Sequence, residues 1–179
     1  MFSEALNNGM SKEDIQYYLE LLNEKLKLKG RLGQIYMVGG AVMCLCFEAR
    51  LSTIDIDAVF KPQRDIELCI AEISKEHSLP ITWLNDICYQ FLSDKGEFKL
   101  FLELSNLNIH SATAEYMLAM KCFSLRTGNK NEMNDIEFLI KFLHIKSVEE
   151  IYKIITKFYA LDEFKNTLPF VLKEILENE

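Results

Sequence analysis

Between Tyr36 and Phe60 the chain reads YMVGGAVMCLCFEARLSTIDIDAVF, and no other stretch limits its fold so strongly. Gln34 to Val38 has the make-up of a short buried strand. Gly39 and Gly40 follow, and Ala41 to Ala49 reads as a helix with Val42, Leu45 and Cys46 turned inward. A strand, a small-residue turn and a helix leave backbone N–H groups open at the helix start, where an anion can bind. Glycine lets a ligand approach the backbone because no Cβ intervenes. Tight turns that bind nothing also use glycine pairs, so both readings stand. From Ile54 to Phe60 the pattern alternates. Strand side chains point to opposite faces with period two, which puts Asp55 and Asp57 on one face and Ile54, Ile56 and Ala58 on the other. Two neighbouring carboxylates repel, and each is disfavoured when buried. A hard dication between them removes that cost, and Mg²⁺ is commonly held by one or two carboxylates plus substrate phosphates. The alternative is a solvated edge strand carrying two acids.

The string Gly39-Gly40-Ala41, a helix, then Arg50-Leu-Ser-Thr53-Ile-Asp55-Ile-Asp57 resembles the nucleotidyltransferase fold of the polymerase-beta type. The resemblance implies that Gly39 and Gly40 contact a triphosphate. It also implies that Asp55 and Asp57 hold Mg²⁺ or Mn²⁺, with Arg50 and Thr53 at linking, nucleotide-binding positions. Members of that fold usually add a third carboxylate on a later strand. Glu103 in KLFLELS is the positional candidate, and nothing in the sequence fixes which way it faces.

A second block strengthens the likeness. Glu115-Tyr-Met-Leu-Ala-Met-Lys121 with Arg126, a short loop and Asp135-Ile136 resembles the abortive-infection and MenT-type nucleotidyltransferase toxins. There the lysine contacts nucleotide phosphates, and the later aspartate assists catalysis or orients the lysine. The roles carry over to Lys121, Arg126 and Asp135. Where the relatives commonly read K-D-x-x-D-I, this chain has Asn131 and Glu132. A lysine in an otherwise apolar helix either snorkels to the surface or meets an anion.

The remaining segments read as packing elements. Ser11 can cap a helix, with Asp14 three positions on completing a near capping box, before Ile15, Tyr18, Leu19, Leu22 and Leu26 at helical spacing. Ile66, Ile70 and Ile73 mark another helix. Trp83-Leu84-Asn85-Asp86 reads as a turn around a buried tryptophan. Phe98 to Leu104 and Leu107 to Ala112 read as strands, and Ser147 with Glu150 caps the first of two further amphipathic helices.

These readings give an α+β fold: a small mixed sheet with helices packed on it over 1–112, and a C-terminal helical region over 113–179. The net charge of −7 argues against a chain-wide basic surface for nucleic acid. No apolar run approaches the roughly 20 residues of a membrane span, and the first residues lack the basic flank and apolar core of a signal peptide. Five cysteines without a CxxC pair suit reduced thiols in a cytoplasmic protein. The resemblance implies transfer of an NMP from an NTP to a hydroxyl of RNA or protein, with an antitoxin as partner. The rival expectation is a nucleotidyltransferase fold without turnover that acts by protein contact or nucleotide sensing.

Overall fold

The computed structural model describes residues 9–125 and 130–177. It is an α+β structure with seven α-helices, a five-stranded mixed sheet and a two-stranded ribbon among those residues. Contacts divide the chain into two units. One is the chain up to Gln90 with Phe98–Ala112; the other is Phe91–Glu97 with the chain from Thr113 onward.

In the first unit, β1 (Met10–Ser11) leads into α1 (Lys12–Leu28), whose start carries the expected box: Ser11 Oγ accepts from Asp14 N, and Asp14 Oδ2 accepts from Ser11 N. Then come β2 (Gly33–Met37), α2 (Gly39–Leu45), β3 (Ser52–Thr53), β4 (Ile56–Lys61), α3 (Gln63–His77), β5 (Leu84–Asn85), β6 (Phe98–Glu103) and β7 (Leu107–Ala112). The sheet order is β5-β4-β2-β7-β6, and β1 pairs with β3 in the ribbon. β2 runs antiparallel to β4 and parallel to β7. β6 runs antiparallel to β7, with a register shift between Leu100 and Leu102.

Period two explains the core. Ile35, Met37, Ile56, Ala58, Phe60, Leu107 and Ile109 are buried on one face, and α1 and α3 pack on the same unit through Leu22, Leu26, Ile66, Ile70 and Ile73. Each Ile, Leu, Met or Phe among them contributes about 1.5–3 kcal/mol when fully buried. The opposite face follows from register as three rows. Asp57 lies beside Val38, in line with the Ala112–Phe98 pair; Val59, Tyr36, His110 and Leu100 form the middle row; Lys61, Gln34, Asn108 and Glu103 form the third.

Three sequence expectations change here. α2 begins at Gly39 and ends at Leu45, well before Ala49, because the chain turns through Glu48 at φ +55. β4 begins at Ile56, so Ile54 is 83% exposed and not part of the inward face. Leu84–Asn85 is a strand, parallel to β4, with Trp83 buried just before it.

In the second unit, α4 (Ala114–Ser124) is capped by Thr113, whose hydroxyl accepts from Tyr116 N. It packs with α5 (Lys130–Phe142) and α6 (Val148–Ile155), and α6 packs with α7 (Leu168–Glu177). The Tyr116 hydroxyl accepts from Ser93 N at 2.9 Å, and the Tyr159 hydroxyl donates to Phe91 O at 2.7 Å. These bonds bind 91–97 into this unit. Among the described residues no helix is long and apolar enough to cross a membrane.

Candidate functional site

The β2–α2 junction sets the site. Val38 is extended and Gly39 has φ +67, a left-handed backbone that disfavours any side chain. The Val38 N–H donates to Asp57 O at 2.9 Å, which fixes β4 beside the turn. The space a side chain would fill at Gly39 is taken by the Asp57 carboxylate: a Cβ there would lie 2.8 Å from Oδ2. At Gly40 a Cβ would collide with Thr53 Oγ1 and lie 3.4 Å from Arg50 Nη1. The bare backbone of the glycine pair is thus lined by a carboxylate, a hydroxyl and a guanidinium.

Thr53 is held by the small ribbon, in which Met10 pairs with Thr53 and Ser11 with Ser52. An ion pair from Lys12 to Glu48 ties the start of α1 to the loop after α2. This ribbon has no signal in the sequence beyond Gly9, which adopts φ +81 beside the Thr53 carbonyl.

Asp55 precedes β4 and is half-buried. Its Oδ2 accepts from Asn85 Nδ2 at 3.2 Å. Asn85 is itself fixed, donating to Thr82 O at 3.1 Å and accepting from Ile87 N at 3.0 Å. Burial pushes the Asp55 carboxyl above its ordinary range, and the Asn85 bond opposes that shift. Both acids act on one thiol. Cys88 is pushed up to about 12, first by burial, then by the charges of Asp57, Asp86 and, less strongly, Asp55. Sequence reasoning missed Asn85, which stands opposite Asp57 in the β4–β5 register. Only its place after two apolar residues hinted at a strand.

Glu103 does not join them. It pairs with Asn108, in the row of Gln34 and Lys61. Lys61 is four residues along β4 from Asp57, about 13 Å at strand rise. Glu103 instead borders an open cleft of about 490 Å³ with Gln34, Lys61, Asn106 and Asn108. Among the described residues no three His, Cys, Asp or Glu side chains group to hold a metal ion. The carboxylates that could hold a dication are Asp57, beside a backbone that carries no Cβ, and Asp55, two residues earlier and bonded to Asn85, with the remaining positions left to a ligand's oxygens.

In the second unit, Lys121 and Asp135 form their own pair. Lys121 Nζ lies 2.7 Å from Asp135 Oδ2, with side chains 12% and 2% exposed. The acid that the sequence places in the first turns of α5 is therefore buried against the lysine of α4. Arg126 lies outside the described residues. No family model, curated protein or solved structure matches this chain.

Proposed function

We propose that the chain is a metal-dependent nucleotidyltransferase that moves an NMP from an NTP to a hydroxyl of RNA or protein. The observation that carries this reading is the convergence of Gly39, Gly40, Arg50, Thr53 and Asp57 on one bare stretch of backbone. Asp55 and Asp57 would hold Mg²⁺ or Mn²⁺, which when bound polarises the α-phosphate and offsets its charge.

The chain's own residues do the rest. Gly39 and Gly40 admit phosphate oxygens to the main chain. The Arg50 guanidinium supplies charge to the leaving pyrophosphate, and the Thr53 hydroxyl orients an oxygen. The acceptor oxygen bonds to the α-phosphorus as the bond from that phosphorus to pyrophosphate breaks. The acceptor's proton passes to a carboxylate, with Asp57 the one placed at the turn. None of this draws on Lys121 or Asp135, which belong to the second unit.

One observation favours a second reading, a protein of this fold that senses nucleotide or contacts a partner without turnover. The expected third carboxylate, Glu103, stands in the row of Lys61, remote from Asp57.

Calorimetry with Mg²⁺ and each NTP, repeated on Asp57→Ala, and labelling of total RNA and protein with radioactive NTPs separate these readings. Mg²⁺-dependent binding that Asp57→Ala abolishes, together with labelled product, is the expected result. Binding without label supports the sensor. Absence of binding overturns both nucleotide readings and leaves protein contact.

A further inference from the structure

On the Asp57 face of the sheet, one row along, the rings of Tyr36 and His110 stack with centroids 4.6 Å apart and planes 15° from parallel. Phe98 meets Tyr36 edge-on at 5.4 Å. Register fixes this wall relative to the acid. Tyr36 pairs with Val59, two residues from Asp57, a step of about 6.6 Å at strand rise. Tyr36 also stands three residues before Gly39, on the strand that delivers the glycine turn. Its hydroxyl donates to Gln34 Oε1 at 3.0 Å, which holds the ring in place. The His110 Nδ1 atom is buried and has no hydrogen-bond partner among the described residues.

We infer that the Tyr36–His110 stack is the platform for the nucleotide's base. The inference rests on the nucleotidyl-transfer reading, which places the phosphates at Gly39–Gly40. From there a nucleoside spans about the separation between the Asp57 row and the ring row. A planar base is the ligand that an aromatic wall of this kind takes, because every base offers a π-face.

The test measures Mg²⁺-dependent affinity of the full chain for ATP and for inorganic tripolyphosphate, which carries no base, on wild type, Tyr36→Leu and His110→Leu. Each variant is expected to lose roughly tenfold or more in ATP affinity, the range of one base–aromatic stack. Each should keep its tripolyphosphate affinity, which also reports an intact fold. 2-Aminopurine riboside triphosphate should be quenched on binding wild type and much less on binding Tyr36→Leu. Equal affinity of wild type for ATP and tripolyphosphate, or variants that leave ATP affinity unchanged or lower both ligands alike, would overturn the platform and leave the phosphate site standing. Binding of neither ligand to wild type removes the nucleotidyl-transfer reading and the platform with it.

Discussion

The Asp57 carboxylate occupies the place where Gly39 would carry a side chain, with Oδ2 2.8 Å from that Cβ position. Gly39→Ala therefore meets two penalties: a left-handed φ, worth about 1–2 kcal/mol, and the contact with Asp57. Only the second vanishes when Asp57 is also Ala. A double-mutant cycle in urea should give a coupling on the order of 1 kcal/mol, with the double variant more stable than the sum predicts. Additive losses would mean that the carboxylate does not press on the turn. Nucleotide binding should fail in every variant of the cycle.

Burial raises the Asp55 carboxyl, so its ionised form is disfavoured in the folded chain. A raised carboxyl favours folding below its unfolded value, near 3.9, and that contribution is lost as pH rises through the folded value. Metal-free Asp55→Asn should thus unfold at higher urea than wild type at pH 7, with the advantage gone near pH 3.5. If the two carboxylates hold Mg²⁺ as proposed, the ion should narrow the gap by stabilising wild type alone. Lower stability of Asp55→Asn at pH 7 without metal would contradict the burial argument.

Local signals were legible in the sequence wherever period or capping dictates structure. Ser11 with Asp14 places the start of α1, and the Ile66, Ile70 and Ile73 spacing places α3. The alternation of Ile56, Asp57 and Ala58 puts Asp57 opposite the core. What escaped was pairing between distant segments. Asn85 reaches Asp55 only because β5 lies parallel to β4, and nothing local encodes that choice. Glu103 is the positional candidate for the third carboxylate that the resemblance implies, but its facing is not set by the strand's own residues. Its row depends on the β2–β7 and β6–β7 registers, which one sequence does not display. Lys121 and Asp135 show the converse, since the sequence named both residues and the fold joins them.

That pair sets a stability prediction. Asp135 is 2% exposed and Lys121 12% at 2.7 Å, so removing either partner leaves a poorly solvated charge. Lys121→Met and Asp135→Leu should each cost about 3–5 kcal/mol, whereas the double variant should recover most of the loss. Urea unfolding of the three variants checks this. Single losses below about 1 kcal/mol, the level of an exposed pair, would show that the pair is solvated.

The thiols predict the alkaline limit. Burial pushes Cys46 up to about 11, with a Ser111 hydrogen bond opposing it, and pushes Cys122 to about 12. Cys88 reaches about 12 for the reasons given above. In the unfolded chain a thiol titrates near 8.5. A group whose folded value is raised gives stability that is fully present below the unfolded value and lost as pH climbs toward the folded one. Each thiol should therefore remove about 1.4 kcal/mol per pH unit above roughly pH 9, or on the order of 4 kcal/mol per unit for the three together. The Tyr159 phenol, raised chiefly by burial, adds to the slope at higher pH. Urea midpoints should be flat from pH 7 to 8 and then fall steeply up to pH 10.5. Cys122→Ala should lessen that slope by about a third whatever it does to stability at pH 7. In the native protein at pH 8, iodoacetamide should leave these three thiols unmodified by intact mass, and urea should expose them. A midpoint that holds steady to pH 10.5 would mean that the thiolates are as well solvated in the fold as outside it.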